Sequence, residues 1–297
     1  MKTYVILGAT GNTGKLITLG LLEKGNAVRI VSRDASKATD LIAKGAQHFA
    51  GNADDASLLK KVFVGADAAY VLVAGDTKAA DVQAGQIAIV NAIAQGLRGS
   101  SVTHVVTLSS VGAHLKAGAG IVQGLQIMEE TLDALDGINV LHLRAAYFME
   151  NTLGMPAMAK NMGIIGGAQR ADLKFSLVAT KDIAAAALAH LVALDFNGKS
   201  HTYLLGDRDY TFNEIASIYG KAIGKPDLKY VQFPYADAKG AMLGMGFGES
   251  YTDKLLELVK GMNEGDLLGD AARKPEYTTP TSIEEFSHIF KAIYSQL

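Results

Sequence analysis

Apolar positions along this chain fall into short continuous runs that alternate with stripes of helical period. Tyr4-Val5-Ile6-Leu7 is an apolar run of strand length, and Lys15, Leu16, Ile17, Leu19, Leu21 and Leu22 open a helix pattern soon after it. Gly25 ends that helix as a C-cap, and Ala27–Ser32 reads as a second strand. Further strands are expected at Gln47–Ala50, Ala68–Val73, His104–Leu108 and Val140–Leu143, with helices at Ser57–Val64, Val82–Ala94 and Leu125–Leu135. Ala68–Val73 is apolar throughout, as suits a strand buried on both faces of a parallel sheet. This β-α alternation predicts an α/β fold, a Rossmann-type doubly wound parallel sheet.

After Asn151 the pattern loosens, with glycine clusters at Gly163–Gly167 and Gly240–Gly248. Strands are expected at Lys174–Val178, His201–Leu205 and Tyr230–Phe233. Helices are expected at Lys181–Leu194, Thr211–Ile223, Tyr235–Leu243, Ser250–Lys260 and Ser282–Tyr294. Thr211 with Glu214 has the form of a capping box. The expected organisation is a dinucleotide-binding core over residues 1–150. Residues 151–297 then form a mixed segment that returns to the core and builds a smaller, partly helical lobe over the substrate side of the cleft.

The junction of first strand and first helix carries the chemistry. Gly8, Gly11 and Gly14 are spaced three apart within Gly8-Ala9-Thr10-Gly11-Asn12-Thr13-Gly14. Gly8 would let the strand turn, Gly11 would let backbone approach a pyrophosphate, and Gly14 would let the helix pack close to the sheet. The helix N-terminus then offers N–H groups to phosphates. About 20 residues further on, an NAD site usually places an acidic residue against the ribose. This chain has Ser32-Arg33 there, with Lys37 close by. A guanidinium suits a 2′-phosphate, so NADP(H) is favoured over NAD(H). Asp34 has two readings, a ribose ligand or a helix cap. Ligands of such sheets lie beyond the strands' carboxyl ends, which adds Asn52, Ala53, Ala74 and Ser109 to the site.

Composition narrows the classes. A net charge of −2, with no basic run, gives no electrostatic footprint for nucleic acid. The chain has no cysteine, which excludes disulfides, thiolate catalysis and cysteine-ligated metal. No histidine and carboxylate set has metal-ligand spacing. There is no signal-peptide pattern and no run of roughly 18 apolar residues, so the expectation is a cytoplasmic protein with no membrane partner.

The G-x-x-G-x-x-G spacing resembles the extended or atypical short-chain dehydrogenases/reductases. Three later segments narrow the resemblance to the NmrA-like family. They are Thr107-Leu108-Ser109-Ser110-Val111-Gly112-Ala113, Leu143-Arg144-Ala145-Ala146-Tyr147-Phe148-Met149-Glu150-Asn151 and Thr180-Lys181-Asp182-Ile183-Ala184. Ala145 stands where the family usually has proline. The resemblance implies that Gly8, Thr10, Gly11, Asn12, Thr13 and Gly14 hold the pyrophosphate and Arg33 the 2′-phosphate. It places Asn52 and Ala53 at the adenine and Ala74 at the ribose. It sets Tyr147, Phe148 and Asn151 near the nicotinamide.

Ordinary short-chain dehydrogenases carry Tyr-x-x-x-Lys on the helix after the fifth strand. Here Val122 and Gln126 occupy those positions, and no tyrosine lies between Tyr70 and Tyr147. Tyr235 and Lys239 repeat the spacing far along the chain and read as structural. The catalytic residue is therefore unknown from sequence, with His114 and Tyr147 as remaining proton donors. Direct hydride transfer to a conjugated acceptor, a quinone or a dye, needs no such acid. Met149, Met242, Met245, Phe247 and Tyr251 are candidate walls of a pliant apolar pocket. The family also includes nonenzymatic NADP(H) sensors, which would act through a protein partner.

Overall fold

The computed structural model describes residues 1–265, 267 and 272–297. Its elements begin with β1 (Thr3–Leu7), α1 (Asn12–Glu23), β2 (Ala27–Ser32), α2 (Thr39–Ala43), β3 (Gln47–Ala50) and α3 (Ala56–Phe63). Then come β4 (Ala68–Leu72), α4 (Val82–Leu97), β5 (His104–Ser110), α5 (Gln123–Asp133), β6 (Asn139–Ala145) and β7 (Tyr147–Phe148). The second half adds α6 (Pro156–Met162), β8 (Ile164–Gly167), β9 (Phe175–Val178), α7 (Thr180–Ala193), β10 (Lys199–Leu204) and β11 (Asp209–Tyr210). The last elements are α8 (Phe212–Ala222), β12 (Lys229–Gln232), α9 (Tyr235–Gly244), α10 (Glu249–Glu264) and α11 (Ile283–Gln296).

Seven strands form one parallel sheet in the order β10-β6-β5-β4-β1-β2-β3. Chain order reverses between β1 and β4, the topological switch point at which doubly wound sheets bind ligands. Both sheet faces are buried. Ile17 and Leu21 of α1 and Ile183 and Leu191 of α7 cover one; Val62 and Phe63 of α3, Ile93 of α4 and Met128 and Leu132 of α5 cover the other. The fold is thus the doubly wound Rossmann-type sheet that the alternation predicts. Its last helix and strand come from the later half, since β10 lies beside β6 with Lys199 opposite Val140.

The lobe has its own core, in which Phe212 stacks on Tyr230 (4.5 Å) and Tyr219 on Phe290 (4.0 Å). The expected capping box is present: Thr211 accepts from the Glu214 N–H and Glu214 accepts from the Thr211 N–H. The sequence pattern misses α2, α6 and three short lobe strands. The Gly163–Gly167 cluster, which looks like a loop, ends in β8. A Cβ on Gly166 would stand 2.5 Å from the Val231 carbonyl of β12, so the glycine is what lets the two strands close. Among the described residues, no helix is long and apolar enough to cross a membrane, and no group of three metal-ligating side chains converges.

Arg273 anchors the segment before α11 by donating to Asp209 (2.5 Å) and to the carbonyls of Leu205 and Gly206. Burial works against the Asp209 carboxylate, but hydrogen bonds from Arg273 and Ser176 outweigh it and hold its pKa below the ordinary value. A folded pKa below the unfolded one gives stability that is present above the unfolded value and lost as pH falls through the folded one. Asp209→Asn should therefore lower Tm at pH 7, and its gap to the parent should narrow as pH falls below about 4. A gap of constant size, read by thermal melts as the pH falls, would contradict this account.

Candidate functional site

At the switch point, Gly8 turns the chain with φ +69°. Its missing side chain leaves room for Leu72 at the end of β4, whose nearest carbon would lie 2.6 Å from a Cβ there. Gly11 donates to the Gly8 carbonyl (2.9 Å), and α1 starts with no side-chain cap. A Cβ on Gly14 would sit 2.3 Å from the Gly8 oxygen and 2.7 Å from its carbon. The turn and the first helical turn therefore touch backbone to backbone. Beneath them the buried Tyr70 hydroxyl donates to Thr13 Oγ1 (3.0 Å), pinning the loop to β4. Uncapped N–H groups at a helix start, above a glycine turn, form an anion seat. The cradle fits the pyrophosphate of a dinucleotide because no Cβ intrudes on it.

The structure brings a second segment to this seat. A hollow of about 300 Å³ is lined by Thr10, Gly11, Asn12, Lys15 and Leu16 on one side and Glu150 and Thr180 on the other. Glu150 accepts hydrogen bonds from the Thr180 N–H (3.0 Å) and hydroxyl (2.6 Å), tying the turn after β7 to the start of α7. Neither Glu150 nor Thr180 is a candidate by residue pattern; both lie inside family-like segments, which is the signal that could have found them. Asn151 is exposed beside them.

At the end of β2, Arg33 and Lys37 are exposed cations. Asp34 accepts from the Ser36 N–H (2.9 Å) and caps the following turn, which leaves it in the capping role. Ser32 donates to the Asp34 carbonyl (3.1 Å) and lies 2.9 Å from His48 Nε2, so its hydroxyl is engaged within the protein. His48, on β3, was not singled out from sequence because nothing in its spacing points to Ser32. Asn52 is exposed and Ala53 half-buried beyond β3, and Ala74 is exposed beyond β4.

Under the ends of β5 and β6 lies a buried charged network. Glu129 of α5 accepts from Arg144 Nη2 (2.6 Å) and Nε (3.1 Å), and from the Ser109 hydroxyl (2.5 Å). Arg144 also donates to the Tyr203 hydroxyl (3.1 Å). Burial disfavours the guanidinium charge, yet Glu129 and Tyr203 outweigh it and hold the group above the usual arginine range. Ser109 is thus buried and committed to Glu129, with Ser110 half-buried next to it.

The lobe residues divide. Tyr251 reaches the exit of β4, where its Cε2 would stand 3.4 Å from a Cβ on Gly75, and it stacks on Phe247 (5.8 Å). Gly248 donates to the Thr77 carbonyl (2.7 Å), and Ser250 Oγ accepts from the Val82 N–H (3.0 Å) at the start of α4. Met242 is half-buried on α9, a helix with no buried residue, and Met245 is 69% exposed. Met149, expected on the pocket wall, is instead fully enclosed in the lobe core with Phe175 and Phe212. Phe148 packs against the sheet core, and Tyr147 packs edge-on against Phe175 and Phe212 (5.5 and 6.1 Å). Burial pushes the Tyr147 hydroxyl up to about 12. His114 is half-buried, with Nδ1 enclosed and without a hydrogen-bond partner among the described residues. Tyr235 and Lys239 do not work as a pair: the former accepts from Asn263, and the latter bridges to Asp253.

The sheet, its switch point and the glycine cradle define a protein of the dinucleotide-binding α/β class. Within that class the chain belongs to the NmrA-like family, whose model matches residues 1–287. It is 25% identical over 258 residues to an NAD(P)H azoreductase of Xenophilus azovorans, covering 86% of this chain and 85% of that one. The fold is shared with Citrobacter sp. triphenylmethane reductase complexed with NADP(H), at TM-score 0.80 and 18% identity over 97% of this chain and 99% of that one. It is shared too with an NADPH-dependent quinone oxidoreductase of Escherichia coli, at TM-score 0.78 and 22% identity over the same shares. The negative transcriptional regulator NmrA, in complex with NADP, matches at TM-score 0.68 and 16% identity over 98% of this chain and 91% of that one.

Proposed function

We propose that the protein is an NADPH-dependent reductase that delivers hydride to a conjugated quinone-like or dye-like acceptor. The observation that carries this is the glycine cradle at the switch point, with the Glu150–Thr180 clamp facing it across a hollow. Bound NADPH supplies the hydride. The chain's own residues bind, orient and exclude water. Gly8, Thr10, Gly11, Asn12, Thr13 and Gly14 hold the pyrophosphate, and Asn52, Ala53 and Ala74 border the adenosine half. Phe148 and Asn151 border the nicotinamide half, and Tyr147 stiffens their segment from behind. Tyr251 and Phe247 close the substrate side and Met242 borders it, while Ser109 acts only from below, by fixing the exit of β5. Tyr147 packs against Phe175 and Phe212 and does not line the hollow, and burial raises its phenol and weakens it as an acid, which disfavours it as the proton donor. Water then supplies any proton that the reduced acceptor takes up.

The cofactor preference rests on charge. Arg33 is exposed and makes no ion pair among the described residues, while the carboxylate of Asp34 is spent on a cap and lies in the field of Lys37. Arg33→Ala should weaken NADPH binding by about 10–100-fold, the scale of one charge-assisted contact, and leave NADH binding within about twofold. Equal losses for both dinucleotides, measured by fluorescence titration, would remove Arg33 from the 2′-phosphate site. A regulatory reading, in which the redox state of the bound nucleotide sets protein binding, has in its favour the shared fold with NmrA and the missing Tyr-x-x-x-Lys pair. The reductase reading is favoured because a relative that aligns over 86% of the chain is an NAD(P)H azoreductase.

A further inference from the structure

A second hollow, of about 290 Å³, lies apart from the glycine cradle, between α7 and β10, the edge strand of the sheet. Residues 276–280 close it. Leu205 at the end of β10 donates to the Tyr277 carbonyl (2.8 Å), and Thr279 donates its N–H to the Gly206 carbonyl (3.2 Å). The polar lining is Asp182, His190, Thr202, Glu276, Thr278 and Thr279, and neither lysine nor arginine is among the lining residues. At about 30 Å³ per water, the space suits a compact molecule and not a nucleotide.

Two independent observations point to an occupant. Thr279 is 6% exposed, and its hydroxyl is enclosed with no hydrogen-bond partner among the described residues. An enclosed hydroxyl without a partner is costly, and a polar group bound beside it removes that cost. Asp182 is 7% exposed, and its carboxylate accepts only neutral donors, the Thr281 hydroxyl (2.8 Å) and N–H (3.0 Å). The neighbouring cations are committed elsewhere: Lys181 bridges to Glu285 (2.6 Å), and Lys274 lies over the Tyr277 ring (5.3 Å). The start of α7 gives Asp182 a partial positive charge but no counter-ion. His190 turns its Nδ1 to Asp195 (2.7 Å).

We propose that this hollow binds a small organic cation. Its primary ammonium donates hydrogen bonds to the Asp182 carboxylate and the Thr279 hydroxyl, while Glu276, exposed at the rim, adds charge. The inference goes beyond the reductase reading and does not rest on it. An anion finds no cation here. A neutral polyol satisfies Thr279 but leaves the buried charge of Asp182 without a counter-ion. A divalent metal needs more ligands than converge, since no group of three metal-ligating side chains is found among the described residues. Ala186 and Leu204 offer the carbon chain of an amine an apolar wall.

The test is calorimetric titration of the protein with 1,4-diaminobutane in about 0.15 M NaCl, where long-range charge effects are screened. The uncharged analogue 1,4-butanediol is titrated beside it. Saturable one-to-one binding of the diamine, at least about tenfold tighter than the diol, is expected. Thr279→Val should weaken it about tenfold without lowering Tm, because the parent hydroxyl has no bond to lose. Glu276→Gln, at an exposed position, should weaken it about threefold and leave the fold intact. Asp182→Asn should also bind about tenfold more weakly, but it disturbs the Thr281 contact, so the other two variants decide. Equal affinity for diamine and diol, no saturable binding, or diamine affinity unchanged in both Thr279→Val and Glu276→Gln overturns the proposal. A Tm more than about 2 °C lower in Thr279→Val would show that the hydroxyl already has a partner and would overturn it too.

Discussion

Gly14→Val is expected to abolish useful NADPH binding. Any Cβ at this position meets the Gly8 carbonyl oxygen at 2.3 Å, the Gly8 carbon at 2.7 Å and Ala9 Cα at 2.9 Å. All three are backbone atoms, so no side chain can rotate away, and α1 must lift from the turn. The lift takes the first-turn N–H groups away from the phosphate seat and loosens Thr13 from Tyr70. Overpacking of this kind costs about 1–3 kcal/mol, and valine lies at the upper end. Placed wholly on the bound state, that is a loss on the order of a hundredfold in affinity. Gly85→Ala is the control, since it lies on α4 away from the seat and a Cβ there would meet nothing within 4 Å. Titration of NADPH fluorescence should separate the two variants by at least about tenfold. Indistinguishable affinities would mean that the glycine spacing shapes the turn alone.

Arg144→Leu carries the largest expected stability loss. It leaves the buried Glu129 side chain without its guanidinium partner and with only the Ser109 hydroxyl. Removing one partner of a buried pair costs about 3–5 kcal/mol. For a chain of this size that corresponds to a fall in Tm of about 10 °C. The double variant Arg144→Leu with Glu129→Leu should recover part of the loss, because replacing both charges leaves no orphan. A single variant that melts within about 2 °C of the parent would contradict this account of the pair.

The network under β5 and β6 also shows where sequence reading stops. The apolar runs, the glycine spacing and the capping box at Thr211 are local signals, and each lies within one or two neighbouring elements. The sheet followed from them because alternation leaves a parallel topology few options. Arg144 ends an apolar strand and Glu129 sits on an amphipathic helix 15 residues earlier, and no spacing rule ties them. His48 beside Ser32 and Glu150 under Thr180 are contacts of the same kind between separate elements, 16 and 30 residues apart. Met149 lies in the core and not on the expected pocket wall for a related reason. Its run of aromatic and sulfur side chains suits a pocket wall as well as a core, and only the packing of β7 against β9 puts it inside.

The most direct test of the central claim is anaerobic NADPH oxidation by the purified protein, followed at 340 nm, with a benzoquinone and a triphenylmethane dye as separate acceptors. The account predicts saturable turnover of at least one of them, faster with NADPH than with NADH, and that preference reduced in Arg33→Ala. Tight NADPH binding with no oxidation by either acceptor would contradict the reductase reading and leave the cradle as a nucleotide sensor.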